Sequence, residues 1–254
     1  MKNKVGDKLQ AITKSGHKGI AWLIDPDDIQ LVQNFESQIK EAEKLKIDFI
    51  FLGGSIIQQN IISEIIRQIK KSAPDIPVVL FPGNSLQFSP LADGILFISL
   101  ISGRNPDLLI GQHVNLAPIL EKSNMEILPT GYMLIDGGQT TSVHYMSQTI
   151  PLPNHHPELS VATALAGKYL GLQYFYLDAG SGAPNPVSAE IIKAVKRKIN
   201  APLIVGGGLN SLEKVKSAFQ AGADLVVIGN GVGKNSSLLK EVSGFLESIR
   251  IMAN

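Results

Sequence analysis

Two sets of residues in this sequence have the types and spacing to do chemistry. The first is a pair of glycine clusters, Gly206-Gly207-Gly208 and Gly229-Asn230-Gly231. Backbone without side chains lets N–H groups converge on an oxyanion, and the helical period that follows in VGGGLNSLEKV would add a positive helix terminus. That chemistry is phosphate binding. A lone glycine more often only turns the chain; the triplet together with GNG favours binding. The second set is acidic: Asp25, Asp27 and Asp28 in LIDPDD, with the Ser55 hydroxyl in FLGGS. Such oxygen donors suit a hard cation like Mg2+, which needs only one or two carboxylates plus substrate phosphate and water. Asp25 is the better ligand candidate because it directly ends an apolar run. Asp27 and Asp28 stand where helix caps and first-turn acids are expected. A further stretch, YLDAGSGAPNP from Tyr176 to Pro186, sets Asp178 and Gly180-Ser181-Gly182 at the end of another apolar run. An anion site and a Mg2+ site together suggest two phosphorylated substrates.

These groups need elements to bring them together, and the hydrophobic pattern supplies them. Eight short runs rich in Ile, Val and Phe recur at 19–25, 47–54, 76–84, 93–100, 125–136, 172–180, 201–208 and 223–231. Most are nearly continuous, as strands covered on both faces should be. Amphipathic segments such as IISEIIRQIKKSA and SLEKVKSAFQAG lie between them, with Asn60, Ser188 and Asn210 placed as caps and Glu213 completing a capping box with Asn210. Eight such units over about 250 residues predict an α/β fold, a (β/α)8 TIM-type barrel occupying residues 1–254 as one domain. An open doubly wound sheet is the fallback. The connection from Phe81 to Ile95 is too short and proline-marked for a full helix, so the helix after strand 3 is expected to be short or missing. The stretch from Gly137 to Glu158 reads as a long, polar, helix-poor loop. In such a barrel the carboxyl ends of the strands carry the chemistry. Every candidate above lies at one of those ends.

Composition narrows the partners. A net charge of +1 without a long basic run argues against nucleic acid. The absence of cysteine excludes disulfides, thiolate metal sites and a thiol nucleophile. The amino terminus has no apolar core of a signal peptide, and no window approaches the roughly 18 apolar residues of a membrane span. A soluble, cytoplasmic protein is expected. Other motifs fail on spacing. GNGVGKNS is one residue short of a P-loop and has Asn235 where Ser or Thr would bind Mg2+; GSGAPNP has Asn185 where a dinucleotide fingerprint needs its last glycine. His17, His113, His144, His155 and His156 show no zinc-helix spacing, and no GxSxG elbow is present.

Taken together, LIDPD, FLGGS, YLDAGSGAPNPV, LIVGGGLNS and ADLVVIGNGV, in this order and spacing, resemble the geranylgeranylglyceryl phosphate synthase family, which includes bacterial heptaprenylglyceryl phosphate synthases. The resemblance spans nearly the whole chain, and YMLIDGG at 132–138 is similar to the strand-5 region of the larger branch of that family. It implies transfer of a polyprenyl chain from its diphosphate to the 3-hydroxyl of sn-glycerol 1-phosphate, giving an ether and diphosphate. It implies Mg2+ on Asp25 and Ser55. It implies a glycerol-phosphate site on Tyr176, Leu177, Asp178, Ala179, Gly180, Ser181 and Gly182, on Gly207 and Gly208, and on Gly229 and Asn230. Asp178 stands where the family usually has Glu, one methylene longer; it would orient the hydroxyl and accept its proton, while Tyr176 would hydrogen-bond the same substrate or only pack at the rim. Geranylgeranyl is the expected chain from the branch resemblance, with heptaprenyl as the alternative; PVVLFPGNSLQF and ILFISLISG are candidates for an apolar groove and read equally well as core. A homo-oligomer and a transient membrane-surface contact through the lipid substrate are also expected.

Two other functions fit parts of the sequence. A phosphosugar isomerase or synthase barrel shares the phosphate loops of strands 7 and 8 but needs two acid/base groups and leaves Asp25 with Ser55 unexplained. A non-catalytic polyprenyl-phosphate binding protein would keep the fold without needing Asp178 as a proton acceptor.

Overall fold

The eight apolar runs become eight parallel strands that close on themselves. They are β1 (Gly19–Ile24), β2 (Phe49–Leu52), β3 (Val78–Leu80), β4 (Gly94–Leu100), β5 (Glu126–Leu134), β6 (Tyr174–Asp178), β7 (Leu203–Gly206) and β8 (Leu225–Ile228), each paired with its sequence neighbours, and β8 with β1. The structure is a computed structural model that describes residues 4–27, 34–54, 61–84, 86–229 and 236–252. Helices α1 (Lys4–Ser15), α2 (Phe35–Lys44), α3 (Ile62–Ser72), α4 (Gln112–Glu121), α5 (Ser142–Ser147), α6 (Pro157–Tyr169), α7 (Ala189–Lys196), α8 (Leu212–Ala221) and α9 (Ser236–Met252) accompany the strands. The expected (β/α)8 barrel is therefore the fold. Between β3 and β4 the described residues contain no helix, as the short connection predicts.

Period-two alternation divides the core into two layers. Phe49 and Phe51, Leu128 and Tyr132, Tyr174 and Tyr176 point into the barrel, where Val5, Leu9 and Ile12 of α1 join them. Ile50, Leu52, Met133, Phe175 and Leu177 point outward beneath the helices. Helix α1 follows from its sequence: KVGDKLQAITKS places Val5, Leu9 and Ile12 on one face, which is buried. Its first turn is held by Glu126, at the start of β5, whose carboxylate accepts the Val5 and Gly6 N–H groups at 2.9 Å each. The helix thus packs into the barrel interior, and access is left to the opposite, carboxyl end of the strands.

Three local expectations change. Asn210 is not the cap of α8: Ser211 is, its Oγ accepting the Lys214 N–H at 3.4 Å, because the extended backbone that a cap needs falls on Ser211. The capping box of Asn210 with Glu213 is not formed. The segment expected to be a helix-poor loop contains α5, capped reciprocally by Thr141 and His144. Here the imidazole Nδ1 substitutes for the usual Glu or Gln, accepting the Thr141 N–H at 3.1 Å. Ser188 caps α7 as expected. Asp28, Ser55, Asn60, Asn230, Gly231 and Lys234 lie outside the described residues.

Candidate functional site

Alternation along β6 decides which residues of YLDAG can meet a ligand. Tyr176 and Asp178 share the inner face, whereas Leu177 and Ala179 lie in the outer core. Asp178 is the last residue of its strand, so its carboxylate reaches the barrel mouth while remaining only 8% exposed. It is held from two sides. Tyr132 of β5 donates its phenol O–H to Oδ2 at 2.7 Å, and the Gly180 N–H donates to Oδ1 at 2.8 Å. Burial pushes the Asp178 carboxyl above the ordinary aspartate range, against the lowering effect of those two donors and of nearby His144. Burial, with the carboxylate close by, also raises the Tyr132 and Tyr176 phenols well above their ordinary value, so both remain neutral donors.

Three aromatic rings pave the floor around this carboxylate. Phe81 stacks on Tyr176 with centroids 5.2 Å apart and planes at 17°; Tyr132 meets Tyr176 edge-on at 5.3 Å. Phe81 comes from the loop after β3, which is fixed by the buried side chain of Gln87. Its Nε2 donates to the Gly54 carbonyl at 2.7 Å and its Oε1 accepts the Gly83 N–H at 3.0 Å. This staple explains how a connection without a helix keeps its place.

Above that floor opens a cavity of about 1100 Å3. Its polar lining includes Asp25, Asp178 and Ser181 and the backbone of Gly182, Gly207, Gly208 and Gly229, with Gly207 close beside the Asp178 carboxylate. Gly207 and Gly208 adopt φ of +77° and +68°, backbone that non-glycine residues rarely take. A Cβ on Gly207 would also stand 2.6 Å from the Ala179 and Gly180 amide nitrogens, so strands 6 and 7 can close on each other only with glycine there. Its apolar lining includes Phe35, Phe97, Ile98, Leu108, Leu116 and Leu238. Phe81, Pro82, Leu96 and Leu100 line it too, so parts of both stretches expected to form an apolar groove face this space.

The strand-end reading thus brings Tyr176, Asp178, Ser181, Gly182, Gly207, Gly208, Gly229 and Asp25 to one cavity. Leu177 and Ala179 do not line it, because their side chains point to the helices, and Gly180 contributes through its N–H to Asp178. Ser55 and Asn230 lie outside the described residues. Tyr132 and His113 were not among the candidate site residues. Tyr132 stood in an apolar run, and its parity with Leu128 and Leu134 was the available signal. His113 lies on α4, buried at the cavity wall, with Ser99 Oγ at 3.2 Å and Phe97 edge-on at 4.4 Å. Burial lowers its pKa, which keeps it neutral.

Asp25 lines the cavity at the exit of β1, and its Oδ1 accepts the Asp27 N–H at 3.1 Å. Among the described residues no group of three or more His, Cys, Asp or Glu gathers that could hold a metal ion. Asp25 is a half-buried carboxylate on the cavity wall, and an oxygen donor of this kind is what Mg2+ takes, since that ion needs few protein ligands and completes its shell with substrate oxygens and water.

Comparison with known proteins agrees with this geometry. The PcrB family pattern matches residues 13–246. A geranylgeranylglyceryl phosphate synthase of Spirosoma linguale is 49% identical over 90% of this chain and 91% of its own. One from Thermococcus kodakarensis is 40% identical over 86% of this chain and 85% of its own. The crystal structure of (S)-3-O-geranylgeranylglyceryl phosphate synthase from Thermoplasma acidophilum, in complex with its substrate sn-glycerol-1-phosphate, superposes with a TM-score of 0.85 at 32% identity, covering 95% of this chain and 97% of that one.

Proposed function

The chain belongs to the PcrB family and is a prenyltransferase, and from that premise we propose that it joins a polyprenyl diphosphate, geranylgeranyl by our reading, to the 3-hydroxyl of sn-glycerol 1-phosphate. The observation that carries the proposal is one cavity whose lining combines carboxylates and glycine backbone with many apolar side chains. A glycerol phosphate needs the former and an isoprenoid tail needs the latter.

In this mechanism the glycines at the exits of β7 and β8 and the Gly180–Gly182 turn hold the glycerol phosphate, and Asn230 belongs to the same site by family resemblance. Asp178 faces the glycerol, orients the 3-hydroxyl and takes up its proton as that oxygen bonds to the allylic carbon. The bond from that carbon to the diphosphate breaks in the same displacement, so diphosphate leaves with the electron pair. Positioning of the two reactants supplies much of the acceleration. Tyr176, a neutral phenol on the cavity floor, donates to the glycerol. Asp25, with Ser55, would hold Mg2+; when bound, that ion neutralises charge on the departing diphosphate. The buried aromatic floor and the plugged barrel bottom keep bulk water from competing with the glycerol hydroxyl.

The same reading places the protein in the cytoplasm, with a transient contact to a membrane surface through its lipid substrate and product, and as a homo-oligomer. No described helix is long and apolar enough to cross a membrane. Incubation with sn-glycerol 1-phosphate, a panel of polyprenyl diphosphates and Mg2+, followed by mass spectrometry of the lipid extract, tests the proposal. An ether product that disappears on chelation of divalent metal is expected. No ether with any chain length would sink the reaction; an ether formed equally well after full chelation would remove Mg2+ from it.

A further inference from the structure

We infer that Tyr132 is a positioning residue for this reaction, acting through Asp178: its phenol fixes the orientation and basicity of the carboxylate that faces the glycerol. The inference rests on the proposed role of Asp178, and it names a residue on a different strand from the one that carries the carboxylate.

Strand register creates the contact. Tyr132 of β5 lies opposite Tyr176, and Leu134 lies opposite Asp178. Tyr132 therefore starts one inward position below the carboxylate, and the length of a tyrosine side chain brings its O–H to Oδ2 at 2.7 Å. The ring is confined by Tyr176 at 5.3 Å and Phe81 at 6.1 Å. With Gly180 N–H on Oδ1 at 2.8 Å, each carboxylate oxygen has one fixed donor. A carboxylate has about four acceptor sites, so accepting two bonds leaves lone pairs for a substrate hydroxyl while removing the freedom to rotate. The two tyrosines differ in role. Tyr176 packs face-on against Phe81 and makes no hydrogen bond to Asp178 among the described residues, whereas Tyr132 is bonded to it directly.

The electrostatics point the same way. The groups facing Asp178 are Tyr132 from β5, Tyr176 from its own strand, the Gly180 amide, and His144 from α5; from β7 comes Gly207, without a side chain. A neutral phenol donating to a buried carboxylate favours its charged form. Loss of that donor leaves burial less opposed, so more of the enzyme is protonated and inactive at a given pH. Carboxylate acceptance of the glycerol proton would then begin at higher pH.

The test is a 13C-carboxyl NMR titration of aspartate-labelled wild type and Tyr132→Phe, with Asp178→Asn identifying the resonance, alongside pH profiles of kcat/KM for sn-glycerol 1-phosphate. In Tyr132→Phe the Asp178 titration and the acid limb of the profile are expected to move together to higher pH, with kcat/KM down about tenfold at its plateau. In an Asp178→Asn background the same substitution is expected to change kcat/KM less than about twofold, since residues acting as one unit are not additive. If Tyr132→Phe folds poorly, 3-fluorotyrosine placed at 132 keeps the shape and strengthens the donor, and the titration moves to lower pH. An unmoved titration, or losses that multiply in the double variant, overturns the inference. If wild type makes no ether lipid, the proposed reaction fails, while the titration still decides whether Tyr132 sets the state of Asp178.

Discussion

Asp178 holds a charge that its surroundings partly oppose, and this has consequences for both activity and stability. Its folded pKa is raised by burial above the ordinary 3.8. A group raised in this way stabilises the fold in its protonated form; that contribution is complete below about 3.8 and is lost as pH rises through the higher folded value. The proposed mechanism needs the opposite form. Asp178→Asn is therefore expected to lower kcat by about 100-fold or more, the cost of losing a charge-assisted contact of ~2–3 kcal/mol. In thermal denaturation at a series of pH values, wild type should lose stability relative to the variant as pH rises from 3.8. A constant difference across that range would mean that Asp178 titrates in the native protein as it does unfolded.

At the scale of elements, the site depends on how closely β6 and β7 exits approach and on what braces them. Gly207 makes the approach possible. Gly207→Ala forces left-handed backbone at a cost of about 1–2 kcal/mol and drives a methyl against the Ala179 and Gly180 amides. A rise of tenfold or more in KM for glycerol phosphate is expected, with a smaller change in KM for the diphosphate substrate. The β6 exit is also tied to the β5 exit: Gln139 Nε2 donates to the Gly182 carbonyl at 2.8 Å and Asn185 N–H to that of Gly137 at 3.1 Å. At the other end of the barrel, Glu126→Ala leaves the first turn of α1 without its acceptor. Loss of about 1–2 kcal/mol is expected, seen as a drop of several degrees in Tm with kcat nearly unchanged. A large fall in kcat would mean that α1 shapes the site from below.

For the whole molecule, the proposed function makes the length of the lipid tail a property of the cavity. Leu116 of α4 is buried and lines it. Leu116→Trp should shift product ratios toward shorter chains when two polyprenyl diphosphates compete, a readout that does not depend on how much enzyme is folded. An unchanged ratio would place the tail elsewhere. The likeness of this fold to its relatives carries over the reaction class; under the proposed function, chain length is expected to follow the shape of this cavity.

Much of this was legible in the sequence because strand ends are marked by residue type. A run of Ile, Val and Phe stopped by Asp25, Asp178 or a glycine cluster states both where a strand ends and what it offers there, and eight such runs allow few folds other than a closed barrel. The lack of a helix between β3 and β4 among the described residues was equally plain, since that connection is too short to contain a full one. What the sequence could not supply was the pairing across strands. Tyr132 and Asp178 are 46 residues apart, and which one reaches the other depends on the register between β5 and β6, fixed by backbone hydrogen bonds and the closure of the whole sheet. The same closure turned Tyr176 and Asp178 inward and left Leu177 and Ala179 under the helices. Residue types determined the chemistry available at each strand end; only the closed sheet decided which groups share a space, because facing and register are properties of neighbouring strands and not of any one segment.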